Sequence, residues 1–293
     1  MNSSEPQLGA TLKRRRILGV AFAAICTLSA FMGVVLLAIL LIDLTGDGIQ
    51  HVTKPFLLNF PSRFPAQAGI KSALFGTLWV MGLTTFFSLP IGIGAGIYLE
   101  EFARRSWFSR FIQLNIANLA GVPSIVYGIL GLAVFVRGLK FERSVLAGAL
   151  TMTLLILPTI IIASQEALRA VPKSIRLAAF ALGATRWQTT YAHVLPAALP
   201  GILTGVILAV SRAMGETAPL IMLGALTYVA FVPTSLNDPF TVLPIQVFNW
   251  ASRPQPAFHG LAAAGILVLL AVLLTMNALA ILLRHRYERK LRW

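Results

Sequence analysis

Two ionisable residues interrupt a stretch that is otherwise apolar. Arg212 and Glu216 lie in Ser211-Arg212-Ala213-Met214-Gly215-Glu216-Thr217-Ala218-Pro219. Four residues apart on a helix, they share a face and can pair. A guanidinium presents a planar fork of N–H donors suited to the oxygens of an anion. The carboxylate accepts hydrogen bonds and repels any anion that brings no proton. The pair is therefore either a structural link between buried helices or an element of an anion pathway. A purely structural pair is a weak source of stability, because removing both charges from water costs as much as their attraction returns.

A second group is suited to docking. Ser174-Ile175-Arg176 leads into Leu177, Ala178, Ala179, Phe180, Ala181 and Leu182, which form a short amphipathic helix that Gly183 can end in a left-handed cap. Ala184-Thr185-Arg186-Trp187-Gln188 begins another turn of structure. Small residues before a sharp glycine turn make a knob for a soluble partner or an interfacial helix in the headgroups. Other chemistry is missing. No G-x-x-x-x-G-K-[ST] occurs, so the chain has no loop of that kind to cradle ATP phosphates. His51, His193, His259 and His285 are scattered singly, and Cys26 is the one cysteine, so neither a metal site nor an intrachain disulfide is expected. No cofactor is expected either. An enzyme embedded in the membrane, using Glu216 or Glu166 as a base, is the rival from another class.

These residues sit in a chain of 293 residues that is 57% hydrophobic and 12% charged, with a mean hydropathy of +0.80. Soluble domains carry roughly 25% charge, so this chain has too little charged surface for a soluble enzyme, and its apolar content excludes a disordered or collagen-like chain. A crossing helix needs about 20 apolar residues. Six runs qualify, at about 17–42, 70–99, 111–136, 145–163, 199–226 and 261–283. They predict an all-α transmembrane domain over 17–283, with basic tails at 1–16 and 284–293 and a polar segment at 166–196. The first run follows Lys13-Arg14-Arg15-Arg16 but is too long for a signal peptide, and is read as a retained helix.

Charge sets the expected orientation. With both termini cytoplasmic, the inside segments carry sixteen Lys and Arg and the outside segments seven, which satisfies the positive-inside rule. The net charge of +14 is then mostly topology, a collar at the lipid surface rather than a nucleic-acid footprint. The outside segments 43–69 and 231–258 are proline-rich and predict stiffened irregular caps. Leu89-Pro90-Ile91-Gly92-Ile93-Gly94-Ala95-Gly96 and Asn118-Leu119-Ala120-Gly121-Val122-Pro123-Ser124 predict close packing and bent helices in spans two and three. Arg212, about 13 residues into a fifth span that begins at Leu199, falls near mid-depth.

The segment 166–196 also carries a resemblance. Leu177-Ala178-Ala179, Gly183, His193 and Leu195-Pro196 keep the spacing of the Glu-Ala-Ala, Gly, Ile, Leu-Pro signature of inner-membrane permeases of binding-protein-dependent ABC importers. Leu177 stands in place of the Glu and His193 in place of the Ile. Asn118 to Gly128, Arg212 to Leu220 and Leu243-Pro244-Ile245-Gln246-Val247-Phe248 resemble the phosphate permease subgroup and its A-type subunits. The resemblance covers about residues 65–285. It implies a six-helix type I (MetI-like) importer permease, multi-pass in a bacterial inner membrane. It further implies a C-type permease partner, two copies of an ATP-binding subunit, and a periplasmic phosphate-binding protein. On that reading Leu177, Ala178, Ala179 and Gly183 couple to the ATPase, and Arg212 and Glu216 line the path of inorganic phosphate. Glu216 would accept the P–OH hydrogen bond that fully ionised sulfate lacks. A permease for another oxyanion is the nearest alternative.

Overall fold

The computed structural model describes residues 5–104, 106–225 and 228–291. Helix α1 spans Glu5–Gly48 and leaves all its apolar residues from Ile17 to Ile42 exposed but Val35, which is half-buried. At its far end Gly48 lies against Ala263, Ala264 and Leu267 of the last helix. A short α2, Lys54–Leu58, capped by Thr53, precedes α3 at Lys71–Ile97. Helix α3 runs through Pro90 and widens into a π-helical turn, Tyr98–Phe102. Next come α4, Trp107–Ala120, and α5, Ser124–Gly131, which extends as a π-helical stretch to Gly138. Helix α6 spans Val145–Ala170, and α7, Lys173–Ala181, is followed by the single turn α8, Arg186–Thr189. A third π-helical segment, Thr190–Val194, feeds α9 at Leu195–Met214. Helices α10, Ala218–Leu223, α11, Leu243–Ala251, and α12, Pro256–Leu291, complete the chain.

Helices α3, α6 and α9 form the centre, with α12 alongside α9. Lipid tails are as apolar as leucine, so helices in a bilayer are held by close packing and by hydrogen bonds between them. Both are present. A Cβ at Gly205 would lie 2.3 Å from that of Ala163, and one at Gly201 would lie 2.9 Å from that of Ala167. These four residues form two facing small-xxx-small rows that let α6 and α9 touch backbone to backbone. Gly92 and Gly96 of α3 do the same against Ile160 and Ser164 of α6. Thr84 donates to the Ala149 carbonyl at 3.2 Å, and Ser211 of α9 bonds Asn277 of α12 at 2.6 Å. Val80, Met152, Ile156, Ile160, Ile202 and Val206 fill the remaining space.

The structure sharpens one sequence expectation and corrects two. Five described helices are long and apolar enough to cross a bilayer, or six counting the third run, whose expected bend is a full break with α4 and α5 meeting at 105°. Gly121-Val122-Pro123 supplies the break, since proline has no N–H for a helix and restricts the residue before it. The fifth run is interrupted too: α9 stops at Met214 and α10 ends in left-handed Gly224, with φ at +94°. Its expected end, Leu226, lies outside the described residues, as do the extreme ends of both basic tails. Third, the cap at 231–258 contains α11, which buries Leu243 and Trp250 with Phe56, Ile70 and Phe258 in a second apolar cluster. The Leu243 N–H, an orphan donor of a helix start, is accepted by Thr77 Oγ1 of α3 at 2.8 Å. The segment before α11 is also built. Asp238 accepts from the N–H groups of Thr234 and Ser235 at 2.8 and 2.9 Å, and these bonds hold its carboxyl below the usual range.

Candidate functional site: two helix breaks and a coupling knob

Arg212 lies in the last turn of α9, not in mid-helix as the sequence implied. There a cation meets the negative end of the helix dipole. Gly215 N–H closes on the Arg212 carbonyl and Glu216 N–H on that of Ala213, and the chain then leaves the helix. Glu216 and Thr217 thus occupy a break between α9 and α10. The Arg212 Nε sits 3.7 Å from Glu216 Oε1, close enough to attract but too long for a good hydrogen bond. The guanidinium keeps its donors for something else. Arg212 is 68% exposed on this chain and Glu216 22%. An ionised arginine facing hydrocarbon costs at least about 2.5–3.5 kcal/mol on insertion scales, so its open side belongs against water or protein.

The second break packs onto the first. At Gly128 of α5 a Cβ would fall 2.6 Å from the Pro219 carbonyl oxygen and 2.8 Å from the Met222 Cβ of α10. Tyr127 reaches back across its own break to donate to the Leu119 carbonyl at 2.7 Å. Two interrupted helices therefore meet beside Arg212 and Glu216. Irregular backbone at membrane depth is tolerated where it is buried in protein or lines a watery cavity, and discontinuous helices form the ion and substrate sites of many transporters. The sequence offered this signal in Gly215 and Pro219, and in Gly121 and Pro123.

At the other end of α9, helix α7 carries the residues that the sequence suggested for docking. It ends in a Schellman cap. Gly183, with φ at +82°, donates to the Phe180 carbonyl, and the Ala184 N–H donates to that of Ala179 at 3.0 Å. Thr185 and Gln188 then form a capping box that starts α8. Leu177, Ala178, Leu182, Gly183 and Trp187 are exposed, with Leu182 at 89%. Ala179 departs from the expectation: it is buried against the chain itself. Consecutive helical residues point about 100° apart, so Ala178 and Ala179 cannot both face a partner.

Sequence reasoning missed what holds the knob. Arg176 of α7 pairs through Nη2 with Glu101 in the π-helical turn after α3, and it donates to the Leu168 and Val171 carbonyls at 2.9 Å. The pair is mostly withdrawn from solvent, at 18% and 12%. Beside it Arg169 pairs with Glu100 at 2.7 Å. One arginine thereby ties together the ends of α3, α6 and the start of α7. Seventy-five residues separate Arg176 from Glu101. The adjacent carboxylates closing a long apolar run were the available hint.

The chain matches known proteins. Residues 88–293 match the family described as binding-protein-dependent transport system inner membrane component, and the chain belongs to that family. It is thus a multi-pass inner-membrane component of an ABC-type transport system. It is similar to the phosphate transport system permease protein PstA of Yersinia pestis, 37% identical over 73% of this chain and 72% of that one. The PstA of Xylella fastidiosa is 30% identical over 94% and 96%. Among solved structures, the inward-facing MetNI methionine ABC transporter aligns with a TM-score of 0.58 at 19% identity, over 75% of this chain and 95% of that one. A bacterial alginate ABC transporter aligns with a TM-score of 0.65 at 16% identity, over 94% and 96%. The likeness to these two gives the fold, the MetI-like permease of type I importers.

Proposed function

We propose that this chain is the A-type permease subunit of an ATP-driven phosphate importer. It forms half of the pathway with a C-type permease. A phosphate-binding protein delivers the anion on the outer side. Two copies of an ATP-binding subunit work from the cytoplasm, one of them receiving the knob of Leu177, Ala178 and Gly183. ATP hydrolysis belongs to that subunit, since this sequence contains no phosphate-binding loop of the required form. Both termini lie on the ATPase side, in keeping with the sixteen-to-seven charge bias. The observation that carries the reading is an Arg–Glu pair at a helix break, in a chain whose relatives over most of its length are named for phosphate transport.

The chemistry follows from the pair. Phosphate at neutral pH carries both acceptor oxygens and at least one P–OH donor. Arg212 attracts the oxygens, and Glu216 accepts the P–OH. Sulfate has no donor and meets only repulsion from Glu216. Uptake of labelled phosphate against sulfate and molybdate by the reconstituted complex tests this. Arg212→Gln should lower phosphate uptake tenfold to a hundredfold, the loss of about 1.5–3 kcal/mol for a charge-assisted contact, with assembly intact. Glu216→Gln should relax discrimination against sulfate. Full phosphate uptake in the double variant would reduce the pair to a structural link, and preference for another oxyanion would transfer the chain to that substrate.

A further inference from the structure

A cleft of about 670 Å³ opens where α3 ends, α4 begins and α6 ends, away from both helix breaks. Its lining is cationic: Arg104, Arg110 and Arg169 face one carboxylate, Glu100. Arg169 pairs with Glu100, but Arg104 and Arg110 have no acidic partner among the described residues. Cavities of this size are within the usual range for small ligands, and three guanidiniums in one recess suit a phosphate group.

The surroundings favour a lipid as the carrier of that phosphate. Helix α4 buries none of its residues, and its first turns expose Trp107, Phe108 and Phe111, with Trp107 78% exposed. Trp107 stacks on Phe111 with ring centres 5.7 Å apart, which makes one flat aromatic surface beside the arginines. The long apolar helix α3 changes to Glu100 and Glu101 at this level, which marks the boundary of the hydrocarbon. Amphipathic helices with arginine on one side and aromatic residues on the other lie in the headgroup layer. Arginine there recruits anionic headgroups, and each basic residue strengthens attachment about fivefold. Ser106 caps α4 by accepting from Ser109 N–H at 3.2 Å, and Ser109 Oγ donates to the Arg104 carbonyl at 2.8 Å. The backbone of Arg104 is therefore tied to the start of the helix.

We infer that this cleft binds the phosphate headgroup of an anionic phospholipid, with Arg104, Arg110 and Arg169 on the phosphate and the Trp107–Phe111 face along the acyl chains. The inference is independent of the substrate carried by the pathway. Bound lipid competes with Glu100 for Arg169, so headgroup occupancy and the Glu100–Arg169 bridge oppose one another.

The test uses the full chain in the complex with which it co-purifies, stripped of lipid in detergent. It is titrated separately with phosphatidylglycerol, phosphatidylcholine and inorganic phosphate, and bound lipid is counted by native mass spectrometry. Phosphatidylglycerol should bind in preference to phosphatidylcholine. The Arg104→Gln/Arg110→Gln pair should weaken it about twenty-five-fold, and Arg186→Gln, a cation outside the cleft, should leave it unchanged. Glu100→Gln should tighten it, a direction that loss of folding cannot produce. Equal retention by the double glutamine variant, or no gain in Glu100→Gln, would overturn the proposal. Displacement of phosphatidylglycerol by equimolar inorganic phosphate would assign the cleft to the free ion and overturn the lipid reading.

Discussion

Helix α7 has nine residues, too few to persist alone in water, so its position depends on what anchors it. Replacing Arg176 with alanine removes the anchor: the pair with Glu101 and both bonds to the end of α6. Breaking a buried ion pair by deleting one partner costs about 3–5 kcal/mol. The slight exposure of both side chains places this case near the lower bound, at about 3 kcal/mol. At 1.4 kcal/mol per factor of ten, local opening of α7 should become about a hundredfold more frequent. Amide hydrogen exchange on the assembled complex reads this directly. Protection over Lys173–Ala181 should fall by about two orders of magnitude, while amides in mid-α6 keep theirs. ATP hydrolysed per anion transported should rise, since a loose knob transmits less movement. Arg176→Lys should fall between the two, because it keeps the charge and loses the fork. A change in α7 protection below threefold, or an equal loss throughout the bundle, would refute the anchor.

Three other outcomes are expected. Gly183→Ala meets open space but must hold a left-handed backbone, a strain of about 1–2 kcal/mol; it should reduce co-purification of the ATP-binding subunit, and Gly183→Asn should do so less. Gly205→Leu has no room against Ala163, so thermal unfolding of the permease should shift sharply downward, whereas Gly82→Leu, with nothing near it, should be tolerated. Asp238 has a lowered pKa when folded, so its stabilising effect is complete above the ordinary carboxylate range and lost as pH falls through the folded value. Proteolysis across residues 231–239 should accelerate on acidification in the parent, and Asp238→Asn should be susceptible already at neutral pH.

The apolar runs made the helices legible, because hydropathy over 20 residues records what lipid requires. It does not record backbone continuity. Gly215-Glu216-Thr217 is too short to lower a window average, so α9 and α10 read as one span and Arg212 as a mid-helix residue. Helix α11 was hidden by its prolines: Pro244 suggests a loop, yet at the start of a helix its missing N–H costs nothing. Gly183 was readable because a left-handed cap has a local signature. The inward face of Ala179 and the Arg176–Glu101 pair depend on how α7 settles against α3 and α6, which no local pattern contains.

The π-helical turn Thr190–Val194 has a consequence for how the knob is aimed. A π turn carries one residue more than an α turn, and one residue corresponds to about 100° of rotation and 1.5 Å of rise. The widened turn takes up that extra residue, so Lys173 to Thr189 keep the angular phase relative to α9 that an unbroken α-helix would give them. Deleting one residue of this turn should return it to α geometry and leave the knob aimed much as before, whereas deleting one residue within α9 would turn it by about a quarter of a circle. The turn is a joint where chain length can change by one residue without re-aiming the knob, while buried Thr190 and Val194 keep its side chains tied to the bundle.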